Sequence, residues 1–240
     1  MLKLLIIMLL SLSFLPASAQ DSTALRNAAP LKTWYEMSGS ELIFSSGNVS
    51  SYGQKLKNEG RFSGFFHINS QAHYDYTPSF GLYSGLSLIN VGFINRLPLA
   101  NGDDLRLIQR SYSLGVPLAF KLGNLRKRRY LALGASAEYM FHYRQKAFYN
   151  GNKATASDWF PNQVRPFNSA VFAELHSSKG FFIRAKFYLN DFLQDRESAI
   201  PVPGTADVVS FRPTQSRLGY VSVGWVFKAR KKRHAKKSEV

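Results

Sequence analysis

Ser136, Glu138 and His142 lie two and four residues apart, so an extended chain points all three to one side. A nucleophile, an orienting carboxylate and a base are the groups that acyl hydrolysis needs. Their reach argues against it, because six residues of strand cover roughly 20 Å and His142 cannot take a proton from Ser136 directly. A charge network suits the same face better. Glu138 and Glu174 can pair with Arg184 and Lys186 inside a narrow space, acid against base, with no reaction implied. The other candidates are weaker still. Asn101-Gly102-Asp103-Asp104 lacks the spaced oxygen ligands of a calcium loop and reads as a solvated turn. His67, His73, His176 and His234 show no metal-ligand spacing. No catalytic residue, metal site or cofactor is expected.

The elements that position these side chains are strands. From Arg61 to Tyr76 one face carries Phe62, Gly64, Phe66, Ile68, Ser70, Ala72, Tyr74 and Tyr76. The other carries Arg61, Ser63, Phe65, His67, Asn69, Gln71, His73 and Asp75. Period two identifies a strand. The pattern returns from Tyr130 to Lys146, with Tyr139, Phe141 and Tyr143 on the apolar side and Ser136, Glu138 and His142 on the polar one, and again from Phe181 to Asn190. Glu41 to Ser46, Phe80 to Ile94, Leu107 to Leu122, Asn168 to His176 and Arg217 to Phe227 complete a set of eight. Pro117 has no N–H for a neighbouring strand, which predicts a bulge there. With Ser178-Lys179-Gly180 as a turn, Glu174 faces Arg184 and Phe172 faces Lys186 on the inner side, while Ala173 faces Ala185 and Val171 faces Phe187 on the outer.

The ends and the charge give the setting. Leu4 to Leu15 is apolar, follows Lys3 and precedes Ala17-Ser18-Ala19, the arrangement of a cleavable export signal over residues 1–19. Residues 20–40 are then expected as a periplasmic segment, 41–227 as a barrel and 228–240 as a basic periplasmic tail. Lys and Arg outnumber Asp and Glu by 31 to 15, a net charge of +16, and cysteine is absent. In an exported chain that excess points to anionic lipid rather than nucleic acid. Arg126, Lys127, Arg128 and Arg129, with Lys231, Lys232 and Arg233 in the tail, are the candidate contacts.

Long connections (47–60, 95–106, 147–167, 191–216) alternate with short ones (77–79, 123–129, 177–180), as outward loops and inner turns of a membrane barrel do. A soluble barrel would turn the apolar face inward around a ligand. Aromatics at the strand ends on the apolar face (Tyr74, Tyr76, Phe80, Tyr139, Phe141, Tyr143) favour lipid on that side. The expected fold is all-β, an eight-stranded antiparallel transmembrane barrel. Its expected role is non-enzymatic, structural, assembly-related or binding, with a lumen largely filled by side chains. A narrow channel and a lipid-modifying enzyme are the alternatives.

Gly60-Arg61-Phe62-Ser63-Gly64-Phe65-Phe66, the Gly85 to Ile94 run, Tyr112-Ser113-Leu114-Gly115-Val116-Pro117-Leu118 and the Glu138 to Lys153 region resemble the PorT-like outer-membrane β-barrel proteins. The resemblance implies a fold and a location in the bacterial outer membrane rather than an activity. Outer-membrane lipid is the expected partner, with other envelope or secretion proteins meeting the outward loops or the tail.

Overall fold

The computed structural model describes residues 33–65 and 67–231, with side chains as far as Phe227. The export signal, residues 20–32, Phe66 and the tail beyond Lys231, including Lys232 and Arg233, lie outside the described residues.

Fourteen strands are present among them: β1 Thr33–Ser51, β2 Gln54–Lys55, β3 Lys57–Glu59, β4 Arg61–Ser63, β5 Ile68–Asp75, β6 Phe80–Pro98, β7 Asp104–Asn124, β8 Arg129–Tyr149, β9 Asn152–Trp159, β10 Phe167–His176, β11 Phe181–Tyr188, β12 Ser198–Pro201, β13 Val208–Phe211 and β14 Pro213–Lys231. Eight of them form an antiparallel ring. β1 pairs with β5, then β6, β7, β8, β10, β11 and β14 follow, and β14 returns to β1. The closing β1–β14 ladder runs from Tyr35↔Lys231 to Ser51↔Pro213, with register shifts at Ser38/Gly39 and Ser50/Ser51. Ring closure pairs every wall strand on both sides. No helix among the described residues is long and apolar enough to cross a membrane.

The Ser178-Lys179-Gly180 turn forms as expected. Gly180 takes φ +86°, and the pairs Glu174↔Arg184, Phe172↔Lys186, Ala173↔Ala185 and Val171↔Phe187 result from it. Elsewhere the strands are longer than the sequence suggested. β1 starts at Thr33 rather than Glu41, and β14 continues to Lys231 rather than ending at Phe227. β6 and β7 shrink the third connection to residues 99–103. The fifth connection contains β9, folded back on β8 through Asn150-Gly151, where φ values of +45° and +79° make the two-residue hairpin turn that this dipeptide favours.

Three local expectations are corrected. The run from Arg61 to Tyr76 is two strands, because pairing lapses over residues 64–67, and Phe65 turns outward with 79% of its surface exposed instead of joining the polar face. Pro117 sits in an unshifted register opposite Ser136. The β6–β7 ladder merely omits its pairs beside Val116 and Pro117, and Ser84 Oγ donates to the Pro117 carbonyl at 2.8 Å. The bulge lies one strand over. Between Tyr112↔His142 and Ser113↔Met140 the extra residue is Phe141, and everything above it on β8 changes face. Tyr143, expected on the lipid side, is therefore buried, and His142 is turned out onto Trp159, ring centroids 4.7 Å apart.

This change of face has a counterpart around the ring. On the lower part of β7, the outward residues Leu114, Val116, Leu118, Phe120 and Leu122 are about half exposed, while Ser111, Ser113 and Lys121 point inward and are buried. Above Ser111 the pattern inverts. Leu105 and Leu107 are buried inside and Arg106 and Arg110 face out; on β8, Tyr143 and Ala147 are inside, with Arg144 and Lys146 outside. The lower barrel has a polar interior and an apolar wall. The upper barrel has the apolar interior and charged wall of a water-soluble one.

Candidate functional site

The lower lumen holds Glu138, Glu174, Arg184 and Lys186, the network that the sequence singled out, and four further charges that it did not. Glu41, Arg61, Asp75, Lys121, Glu138, Glu174, Arg184 and Lys186 are all buried, four acids against four bases. Arg184 Nη2 lies 2.5 Å from Glu174 Oε2 across the β10–β11 pair, and its Nη1 lies 2.7 Å from Glu41 Oε1. The second contact passes over β14, where Ser222 hydrogen-bonds the same Glu41 carboxylate. Lys186 reaches over β10 to Glu138, which also accepts from Tyr188 Oη at 2.7 Å, Ser113 Oγ at 3.1 Å and Ser136 Oγ at 3.2 Å. Lys121 crosses β6 to Asp75 and donates to Tyr35 Oη at 3.1 Å.

Each long-range pair thus skips one strand and braces the ring across its interior. Buried pairs stabilise where further hydrogen bonds also engage the carboxylate, as Ser222 does for Glu41 and Tyr188, Ser113 and Ser136 do for Glu138. Hairpin numbering could place Glu174 beside Arg184, but not Glu41, Lys121 or Asp75, because contacts over an intervening strand depend on the stagger of the closed ring. Their shared inward parity was the available signal.

Aromatic rings fill the lower mouth. His73 stacks on Tyr35 at 4.9 Å and His176 on Tyr130 at 4.7 Å; Lys121 lies 4.9 Å from the Tyr35 ring centroid. Arg128 also turns over Tyr35, at 5.5 Å, and is exposed like Arg126, Lys127 and Arg129 beside it. Glycine makes room for this packing. A Cβ at Gly224 would fall inside the Phe182 ring, and one at Gly134 would meet Phe172 and Ala119.

The upper lumen is closed by a continuous apolar cluster that includes Val91, Phe93, Leu105, Leu107, Phe192 and Leu218. Part of it comes from the seventh connection, which folds over the barrel as a cap. Phe192 meets Phe93 edge to face at 5.4 Å, Val164 bridges Leu193, and the β12–β13 hairpin buries Ile200 and Phe211. Arg212 pairs with Asp195 at 2.7 Å within the cap, and Tyr52 Oη, at the end of β1, bonds Glu197 at 2.8 Å and ties the cap to the wall. Loop hydrophobics spaced without a period gave no sequence sign of this.

The hydrolytic set is not assembled. Ser136 donates to Glu138 while His142 lies outside the wall, displaced by the Phe141 bulge. A different pair meets instead. Ser63 Oγ is 3.1 Å from His67 Nε2, and His67 Nδ1 is 2.8 Å from the Glu41 carbonyl oxygen. Both side chains are buried and engage each other where the β4–β5 wall is broken. Asn101 and Asp103 are held by each other and by Tyr149, and no group of three potential metal ligands occurs among the described residues.

The outer wall carries two aromatic belts. The lower runs through Trp34, Tyr74, Tyr76 and Phe80, with Trp225 and Phe227 on β14. The upper includes Phe44 with Phe62, Tyr112 with Phe141, and Tyr139 with Phe167. From Leu122 to Tyr112 the chain covers about 33 Å of strand, which at a usual barrel tilt spans roughly 25 Å, the height of an outer-membrane apolar band.

No protein-family model and no curated protein matches the chain. Among solved structures, it is similar to Ail, the attachment invasion locus protein of Yersinia pestis (13% identity, 79% of this chain and 97% of that one, TM-score 0.35). It is also similar to Neisserial surface protein A (14%, 83% and 97%, 0.34) and to the outer membrane protein OprG from Pseudomonas aeruginosa (10%, 81% and 96%, 0.38).

Proposed function

We propose that this protein is a non-enzymatic barrel of the bacterial outer membrane. In this reading it is sealed by its own side chains and works through its outer surfaces, in a structural, assembly or binding role. The observation that carries the reading is the interior: four acids are held by Lys121, Arg184 and Lys186, and Arg61 is bonded to Asn90, within a ring closed above by an apolar core. A lumen of that kind has neither the open cross-section nor the uncompensated charge of a conducting pore. The apolar lower wall between two aromatic belts supports the membrane setting. The PorT-like resemblance agrees with it.

The short turns at 76–79, 125–128 and 177–180 then face the periplasm. Arg126, Lys127 and Arg129 lie beside the lower belt, where anionic phospholipid head groups belong. The cap faces outward. Between it and β9 lies a cavity of about 550 Å³ lined by Gln109, Gln145, Trp159, Gln163, Arg196 and Glu197, a polar surface suited to contact with another envelope component.

The test is single-channel recording after reconstitution of the full chain in planar bilayers. A sealed barrel gives insertion without conductance steps at high salt. Reproducible steps would establish the channel reading in its place.

A further inference from the structure

We propose that the outer face of β7, β8 and β9, directly above the upper aromatic belt, binds the phosphate groups of a lipid A-type glycolipid in the outer leaflet; this rests on the outward orientation of the cap proposed above. Arg110 and Arg144 are cross-strand partners on that face. Lys146 comes next on the same face of β8, and Lys153 stands on β9 opposite Phe148. Like charges placed directly opposite each other repel, and Arg110, Arg144 and Lys153 all repel the Lys146 ammonium. Nothing nearby neutralises them. Of the outer-face acids, Glu59 is held by Arg96 at 2.6 Å and Arg106 at 2.9 Å, and Asp104, at the top of β7, forms no ion pair with these cations. Opposite Arg144 and Lys146, β9 presents Ser157 and Thr155 rather than carboxylates. None of the four cations joins an ion pair among the described residues. Arg144 Nε is shielded and has no hydrogen-bond partner.

Arrangement and level identify the ligand class. The Arg110 and Arg144 side chains start about 5 Å apart, so two guanidinium forks converge on one phosphate and can each bond it twice. Lys146 and Lys153, higher on the wall, suit a second phosphate as point charges. Below the cations come the belt rings Tyr112, Phe141 and Trp159, in contact at 6.4 and 6.1 Å. Beneath these, Leu114, Val116 and Leu118 form exposed apolar wall. Phosphates above and acyl chains below are the two halves of one phosphorylated lipid. A soluble anion would use only the upper half.

The experiment titrates full-length barrel, folded in uncharged detergent, with diphosphoryl lipid A, monophosphoryl lipid A and inorganic phosphate. Wild type is compared with R110Q/R144Q/K146Q and with the lower-end control K179Q, at an exposed turn residue. Diphosphoryl lipid A should bind wild type and control alike, and the upper variant at least about tenfold more weakly. Monophosphoryl lipid A should bind wild type more weakly, and millimolar inorganic phosphate should not compete.

Equal binding by the upper variant, or loss confined to the lower-end control, overturns the proposal; competition by free phosphate overturns the lipid assignment. Should the upper variant not fold by heat-modifiable migration, wild type alone decides: affinity must fall with rising salt and with removal of one phosphate, and indifference to both overturns the site. A mature chain that stays soluble without detergent contradicts the membrane reading itself, an outcome distinct from an inserted barrel that ignores lipid A.

Discussion

Glu138 shows what a buried charge costs when its partners are removed. With Lys186, Tyr188, Ser113 and Ser136 around it, the carboxylate is fully engaged. Lys186→Met leaves that acid unpaired in the lumen and should destabilise the barrel by about 3–5 kcal/mol in denaturant unfolding, whereas the double variant K186M/E138Q should recover most of the loss. Equal losses in the single and double variants would contradict the brace. Gly224 makes a separate case. Valine there collides with the Phe182 ring on the neighbouring strand, so Gly224→Val should cost about 1–3 kcal/mol or block folding, and pairing it with Phe182→Ala should restore folded, heat-modifiable protein. Ser63 and His67, which are buried and bonded to each other, carry a third expectation: a fluorophosphonate probe should label neither wild type nor Ser63→Ala. Labelling that disappears in S63A would reopen the enzymatic reading.

At the level of elements, alternation made the wall legible, and turn chemistry made one hairpin legible to the residue. Phe172, Glu174, Arg184 and Lys186 could be assigned faces because Gly180 fixes the register between them. The Phe141 bulge was hidden, because an inserted residue leaves local alternation intact and only swaps the faces of the residues after it, here His142 and Tyr143. The ends of β1 and β7 were hidden for another reason. Tyr35 and Met37, like Leu105 and Leu107, are apolar residues that face inward, opposite to the membrane pattern that identified the middle of each strand. Among the outer elements, β3 is held to β6 through Glu59. The hydrogen bond from Arg106, and less so that from Arg96, keeps the Glu59 carboxyl below its ordinary value. A depressed acid contributes stability above its unfolded value and loses it as pH falls through the folded one. Protection factors over residues 54–60, referred to the intrinsic exchange rate at each pH, should therefore be high at neutral pH and fall as the pH drops below the ordinary glutamate value. Glu59→Gln should exchange faster at neutral pH and respond less to acid; unchanged protection in wild type at low pH would remove this tether.

Taken whole, the molecule is two barrels in one wall. The lower part puts charge inside and hydrocarbon outside, and the upper part reverses both, so the level at which the pattern inverts, between Arg110 and Tyr112 on β7, marks the proposed membrane surface. Closure by ladder and by strand-skipping ion pairs makes that wall rigid without a disulfide, consistent with a chain that has no cysteine. The absence of cysteine also permits the most direct test, because a single introduced cysteine carries the only label. Nitroxides placed one at a time from position 108 to 122 on β7, in protein reconstituted into lipid bilayers, should report oxygen accessibility at 114, 116, 118, 120 and 122 and little at the odd positions between them. Accessibility to a water-soluble nickel reagent should replace oxygen from position 110 upward. Nickel accessibility at 116 and 118 equal to that at 110 would place water against the lower wall and contradict the membrane barrel.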